Sequence, residues 1–227
     1  MSGLLAPVSV VIPVRNGATF LPEALRSVQA QTILPRQIIV VDDGSTDATA
    51  TVARDFFGVD CIQQPPLGVS AARNTGAEYA TETYLCFLDA DDIWPRTKTE
   101  RQLACFARDP SIDIVTGLMR NFRRSNEGET LFLTEPVSAN LPGVLMIRRE
   151  AFHRVGPYST ELAYGENLEW WARALDSGSL VTSIDELVLM RRIHDNNTSR
   201  DTDNSTRRYL HALRAITRRR RTGSASH

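Results

Sequence analysis

Tyr84-Leu85-Cys86-Phe87-Leu88-Asp89-Ala90-Asp91-Asp92 sets the frame for the whole chain. Five mostly apolar, strand-forming residues run into three carboxylates within four positions, as in a buried strand that delivers negative charge to its C-terminal end. Carboxylates this close repel one another unless a divalent ion, a cationic side chain or water relieves them. On its own such a cluster is most often a solvated turn that caps the next helix. Its position argues otherwise, because ligands of open α/β sheets collect at the carboxyl ends of the strands.

Upstream, Val8-Ser9-Val10-Val11-Ile12-Pro13-Val14 is a β-branched run closed by the turn Arg15-Asn16-Gly17. Leu21, Leu25 and Val28 fall at i, i+4 and i+7, which predicts a helix over residues 22–31. Residues 37–41 form a second strand that runs into Asp42-Asp43-Gly44-Ser45-Thr46-Asp47, where Thr46 or Asp47 can cap a helix over 48–57. A short strand at 59–63 and a helix over 70–80, carrying Arg73, Asn74 and Gly76, complete the run up to Tyr84. The alternation predicts an α/β fold with a Rossmann-like, mostly parallel central sheet flanked by helices and right-handed crossovers.

Downstream, a helix over 95–108 takes Leu103 and Phe106 as its apolar face, and 112–119 is a strand. The polar stretch 120–140 is a loop or hairpin with a short strand at 130–133; a strand at 143–147, a helix over 149–155 and a Gly156-Pro157-Tyr158 turn follow. Tyr164-Gly165-Glu166-Asn167 leads a helix in which Leu168, Trp171, Ala172 and Leu175 mark the apolar face. Glu166, Glu169, Trp170 and Arg173 lie on or beside the other face, with Glu169 and Arg173 spaced as an i,i+4 ion pair. Late strands at 181–184 and 187–193 end at His194-Asp195-Asn196-Asn197.

The 227 residues are 42% hydrophobic and 23% charged, values that suit one globular domain and exclude a disordered chain. We expect a single domain over 1–205, then a basic helix and a disordered tail over 206–227. The formal charge of -1 hides a dipolar distribution, acidic at 42–47 and 89–92 and basic at the end. On the last helix Arg207, His211, Arg214, Arg218 and Arg221 form either a solvated face or a peripheral contact with an anionic membrane. Cys61, Cys86 and Cys105 are odd in number and set among apolar residues, as reduced core thiols would be. No apolar run approaches the about 20 residues that cross a bilayer, and the first residues lack a signal pattern, so a cytoplasmic protein is expected.

Four motifs in order resemble the family 2 glycosyltransferases: the opening strand at 8–16, Ile39-Val40-Val41-Asp42-Asp43-Gly44-Ser45-Thr46-Asp47, Ala72-Arg73-Asn74-Thr75-Gly76, and Leu88-Asp89-Ala90-Asp91-Asp92. The resemblance covers roughly residues 8–197 and implies a GT-A fold, with a nucleotide-sugar-binding half over 8–119 and a mixed, acceptor-binding half over 120–205. It places Pro13, Arg15 and Asp43 around the nucleobase, Asp43 accepting from a uracil-type N–H, with Arg73 nearby. It places Asp89 near the ribose or donor sugar, and Asp91 on a Mn²⁺ or Mg²⁺ ion that bridges the diphosphate, with His194 beside it. For His194 the alternative is a loop histidine bonded to backbone. Oxygen ligands without clustered thiolates argue against softer metals.

One position departs from the family. Where an acidic pair usually heads the helix and its Asp serves as base, this chain has Asn167, and an amide cannot take a proton at neutral pH. Glu166, Glu169 or a residue of the Asp195 loop could replace it; Glu166, with no partner apparent in the sequence, is the expected base, and Asn167 would position the acceptor by hydrogen bonds. The expected function is a metal-dependent, inverting transfer of one hexosyl or N-acetylhexosaminyl group from a UDP-sugar to an acceptor, with no nucleic-acid partner. The competing reading is a non-catalytic nucleotide-sugar or partner-binding module of the same fold.

Overall fold

The computed structural model describes residues 5–162, 165–194, 213–217 and 219. Four parallel strands form one half of the sheet: β1 (Leu5–Val14), β2 (Leu34–Asp43), β3 (Val59–Gln64) and β4 (Tyr84–Phe87). Helices α1 (Leu21–Gln29), α2 (Thr49–Arg54) and α3 (Val69–Tyr79) supply the returns between them. Then come α4 (Lys98–Arg108), β5 (Ile114–Arg124), β6 (Thr130–Phe132), β7 (Val137–Ser138), β8 (Met146–Arg148), α5 (Arg149–Val155), α6 (Glu166–Asp176) and β9 (Val181–Arg192). Among the described residues one nine-stranded sheet runs β3-β2-β1-β4-β8-β5-β6, with β7 and β9 also paired to β5. It joins both halves of the chain.

The doubly covered strands explain the unbroken apolar runs: Val10–Ile12, Ile39–Val41 and Leu85–Leu88 are fully buried. Helix α3 lies close against β1 because Gly76 has no side chain. A Cβ there would stand 2.3 Å from Val11 Cγ1. An aromatic cluster ties β4 to α5 and α6, with Phe87 to Tyr158 at 5.5 Å, Phe152 to Trp170 at 5.6 Å and Tyr158 to Trp170 at 5.5 Å between ring centroids.

Several expectations need correction. The strand expected at 143–147 is a short 3-10 turn (Pro142–Val144) followed by β8, which slots antiparallel between β4 and β5. Strand β5 continues through the polar stretch to Arg124 and turns back antiparallel as β6. The two late strands are one, β9, held along β5 with bulges near Gly117 and Leu118. On α4 the buried face is Lys98, Thr99, Gln102 and Phe106, with Leu103 only half-buried. Polar groups replace apolar contact there: Lys98 donates to Gln102 Oε1 at 2.8 Å, and Gln102 Nε2 donates to the carbonyls of Val115 and Val144. Neither Thr46 nor Asp47 is the residue at the cap of α2, though Asp47 Oδ1 accepts from Thr49 N at 3.0 Å. The last helix is described only at 213–217 and 219, so Arg207, His211, Arg218 and Arg221 lie outside the described residues.

Candidate active site

The carboxyl ends of β1 and β2 are knotted together by short polar residues. Asn16 adopts a positive φ of 52°, which Asn tolerates, and its Oδ1 accepts from Thr46 N at 2.8 Å while its own N donates to Ser45 Oγ. Gly17 N donates to Thr49 Oγ1 at 2.9 Å. Pro13 is buried in register with Val41, and Arg15 is exposed at the rim. Asp42 accepts from Ser45 N and Gln63 Nε2. Asp43 accepts from Gln64 Nε2 at 2.7 Å, Leu67 N at 2.8 Å and Gly68 N at 2.8 Å. Both Asp43 oxygens therefore shape the turn into α3, beyond whatever a nucleobase would ask of them.

The acidic turn after β4 is clipped to the end of β9. Ile93 and Met190 form an antiparallel bridge, Arg192 N donates to Asp92 Oδ1 at 2.8 Å, and Arg192 Nε donates to the Asp91 carbonyl at 2.8 Å. The Arg192 guanidinium also pairs with Glu23 of α1. Burial, with the charges of Asp91 and Asp89 beside it, pushes the Asp92 carboxyl well above the ordinary carboxylate range. Just past the strand, His194 Nε2 meets Asp91 Oδ2 at 3.0 Å and its ring stacks on Phe20 at 4.6 Å. An aspartate oxygen after β4 and an imidazole nitrogen after β9 thus meet beyond the carboxyl ends of the two strands. Among the described residues no group of three or more His, Cys, Asp or Glu side chains could hold a metal ion, so this pair would offer a hard divalent ion at most two protein ligands.

Arg73 occupies the centre between the two halves. It is 3% exposed and donates through Nη2 to Asp89 Oδ1 at 2.8 Å, and through Nη1 to Glu166 Oε1 at 3.1 Å and Asn167 Oδ1 at 3.3 Å. Its guanidinium also lies 5.7 Å from the Tyr158 ring centroid. Burial alone would lower its pKa, but the charges of Asp89 and Glu166, with the hydrogen bond to Asp89, outweigh that and hold it above the ordinary arginine value. Burial pushes the Tyr158 hydroxyl far up. Arg73 therefore joins the acidic turn to the start of α6. Its three side-chain bonds go to Asp89, Glu166 and Asn167.

Helix α6 turns the opposite way from the expected one. Glu166, Glu169 and Trp170 are buried, whereas Leu175 is half-exposed. Charges can face inward because partners wait for them: Arg73 for Glu166, and both Arg173 Nε at 2.9 Å and Arg219 Nη1 at 2.8 Å for Glu169. Glu166 thus has the partner that the sequence did not reveal, and the i,i+4 pair is partly buried. Arg219, which also pairs with Asp176, is anchored to the protein, while Arg214 is exposed. A cleft of ≈ 460 Å³ lies beside this helix, between the 157–162 segment, Glu169 and Arg173.

The sequence model of glycosyl transferase family 2 matches residues 9–159, from within β1 to just past the turn after α5. The chain belongs to that family. Among its family 2 relatives, glycosyltransferase AglE of Haloferax volcanii is 30% identical over 208 residues, 83% of this chain and 67% of the relative. A PGL/p-HBAD biosynthesis glycosyltransferase of Mycobacterium bovis is 32% identical over 194 residues, covering 80% and 74%. Crystal structures of S. aureus TarS 1-349 share the architecture. The complex with UDP-GlcNAc gives a TM-score of 0.74 at 19% identity over 92% of this chain. The family 2 fold is thus the GT-A fold of these glycosyltransferases, and the chain spans 65% of the length of that TarS chain. The three cysteines are free, and no helix among the described residues is long and apolar enough to cross a membrane.

Proposed function

We propose that this family 2 member transfers a single hexosyl or N-acetylhexosaminyl group from a UDP-sugar, with a divalent metal and with inversion at the anomeric carbon. The observation that carries the reading is the convergence at one sheet edge of Asp91 and His194, 3.0 Å apart, with Asp89 held by Arg73 immediately beside them. Such an edge suits a diphosphate bound through a metal and a sugar lying toward α6. TarS, which shares the fold, has been solved with UDP and with UDP-GlcNAc, and this favours the same class of donor here. Pro13, Arg15 and Asp43 would then border the nucleobase, at the end of the sheet where Asn16 and Ser45 fix the turns.

On the acceptor side, the nucleophile enters near the start of α6, beside the cleft under Glu169 and Arg173. A single displacement from the face opposite the leaving UDP inverts the anomeric centre. For a neutral hydroxyl acceptor the proton would go to Glu166, whose carboxylate already bonds Arg73. That bond also favours a second reading, a module that binds the nucleotide-sugar and does not turn it over.

Screening UDP-sugars for Mn²⁺-dependent release of UDP, with Asp91→Ala as control, separates the two. Release that disappears in the variant supports transfer. Binding of UDP with no release from any donor, with or without candidate acceptors, leaves only the binding module.

A further inference from the structure

Arg73 decides what Asn167 can offer a substrate. A guanidinium carries donors only, so the Asn167 atom that meets Arg73 Nη1 at 3.3 Å is its oxygen. The amide nitrogen Nδ2 therefore faces away from Arg73, and it makes no hydrogen bond within the described residues. At the position where the family places a carboxylate, this half-buried side chain presents N–H donors.

The neighbouring carboxylates do not replace the missing acceptor. Glu166 and Asp89 share Arg73, and Glu169 accepts from Arg173 and Arg219. Each of these three carboxylates thus already faces an arginine, with Arg219 shared between Glu169 and Asp176. Two further buried donors, Arg73 Nε and the Tyr158 hydroxyl, have no acceptor among the described residues. The environment has donors to spare and its carboxylates already face cations. That stabilises an oxyanion and gives a hydroxyl nothing free to take its proton.

Resting on the glycosyl-transfer reading above, we infer that the acceptor's nucleophile is an oxyanion already ionised at neutral pH, a phosphate monoester or a carboxylate, and not an alcohol. Its lone pair forms the bond to the anomeric carbon, the bond from that carbon to the diphosphate oxygen breaks, and the electron pair leaves with UDP. No proton is transferred. Asn167 Nδ2 donates to the oxyanion, and Arg73 fixes the direction of that donor from behind. Asn167 is in this sense the residue that selects the acceptor class.

The test follows UDP release from UDP-glucose and UDP-GlcNAc in Mn²⁺, with octyl phosphate, octanoate or octanol added in parallel. Stimulation of about tenfold or more by octyl phosphate or octanoate and none by octanol is the expected result. Mass spectrometry of the product then distinguishes a glycosyl phosphate from a glycosyl ester. Asn167→Asp, which puts a carboxylate oxygen where Nδ2 stood, is expected to remove that stimulation while calorimetry shows UDP affinity unchanged. Stimulation by octanol overturns the inference, as does stimulation by none of the three when the donors bind. An Asn167→Asp protein that responds to the oxyanion as the parent does also overturns it. If neither donor binds, the glycosyl-transfer reading itself falls.

Discussion

Asp91 Oδ2 and His194 Nε2 stand 3.0 Å apart although 103 residues separate them in the chain, and Phe20 stacks on the imidazole at 4.6 Å. If this pair holds the metal, UDP binds about tenfold or more tightly with Mn²⁺ than without, and Asp91→Ala or His194→Ala removes the increment. Calorimetry on the parent and both variants, with and without Mn²⁺, reads this directly. Equal affinity throughout would remove the metal role from these residues.

Glu166→Gln keeps an oxygen for Arg73 to bond but cannot take a proton. With an oxyanion acceptor, kcat should stay within about tenfold of the parent and UDP affinity should not move. A general base contributes ~10²–10⁴-fold, so a loss of that size on an alcohol acceptor would instead assign Glu166 the proton.

Gly76 sets how closely α3 approaches the sheet. Alanine in a helix is normally favoured over glycine by about 1 kcal/mol, but here its Cβ would overlap Val11 Cγ1 at 2.3 Å. Overpacking of this kind costs ~1–3 kcal/mol, so Gly76→Ala should lower the urea midpoint. Adding Val11→Ala should recover part of that loss, because the two side chains compete for one space. A double variant whose stability is the plain sum of the two singles would show that the helix moves out without strain.

Lys98 is fully buried, and burial brings its pKa down to about 8. Below that pH the folded and unfolded chains both carry the proton, and the penalty of a buried ammonium is in force. Between about pH 8 and 10.4 the unfolded chain holds a proton that the folded one has lost, so this group makes stability rise with pH. Against Lys98→Met, the parent should gain about 2 kcal/mol between pH 7 and pH 9.5 in urea unfolding. Parallel pH dependences for the two proteins would mean that Lys98 does not lose its proton there.

The repeated strand–helix pattern and the acidic turn were legible because each is local: β-branched runs, turn residues and a carboxylate cluster announce themselves within ten positions. The orientations of α4 and α6 were not. Apolar spacing pointed Leu168 and Leu175 inward, but Glu166 and Glu169 are buried by arginines that arrive from α3 and from residue 219. Likewise Lys98 is accommodated by Gln102, which is itself satisfied by carbonyls of Val115 and Val144. Periodicity reports where oil is available, and it is blind to charges whose partners lie far along the chain. The antiparallel insertion of β8 is hidden for a similar reason, since three residues carry too little pattern to choose a neighbour.

The fastening of the acidic turn to the end of β9 also bears on how the protein comes into being. Synthesis runs from the N-terminus, so the first four strands can associate while the ribosome is still adding the rest. Arg192 and His194, which brace Asp92 and meet Asp91, emerge about a hundred residues after those aspartates. A nascent or truncated chain ending before β9 therefore carries the acidic turn without the contacts that Arg192 and His194 make to it. On the glycosyl-transfer reading proposed above, a chain cut before β9 is expected to lose donor turnover while keeping the first four strands.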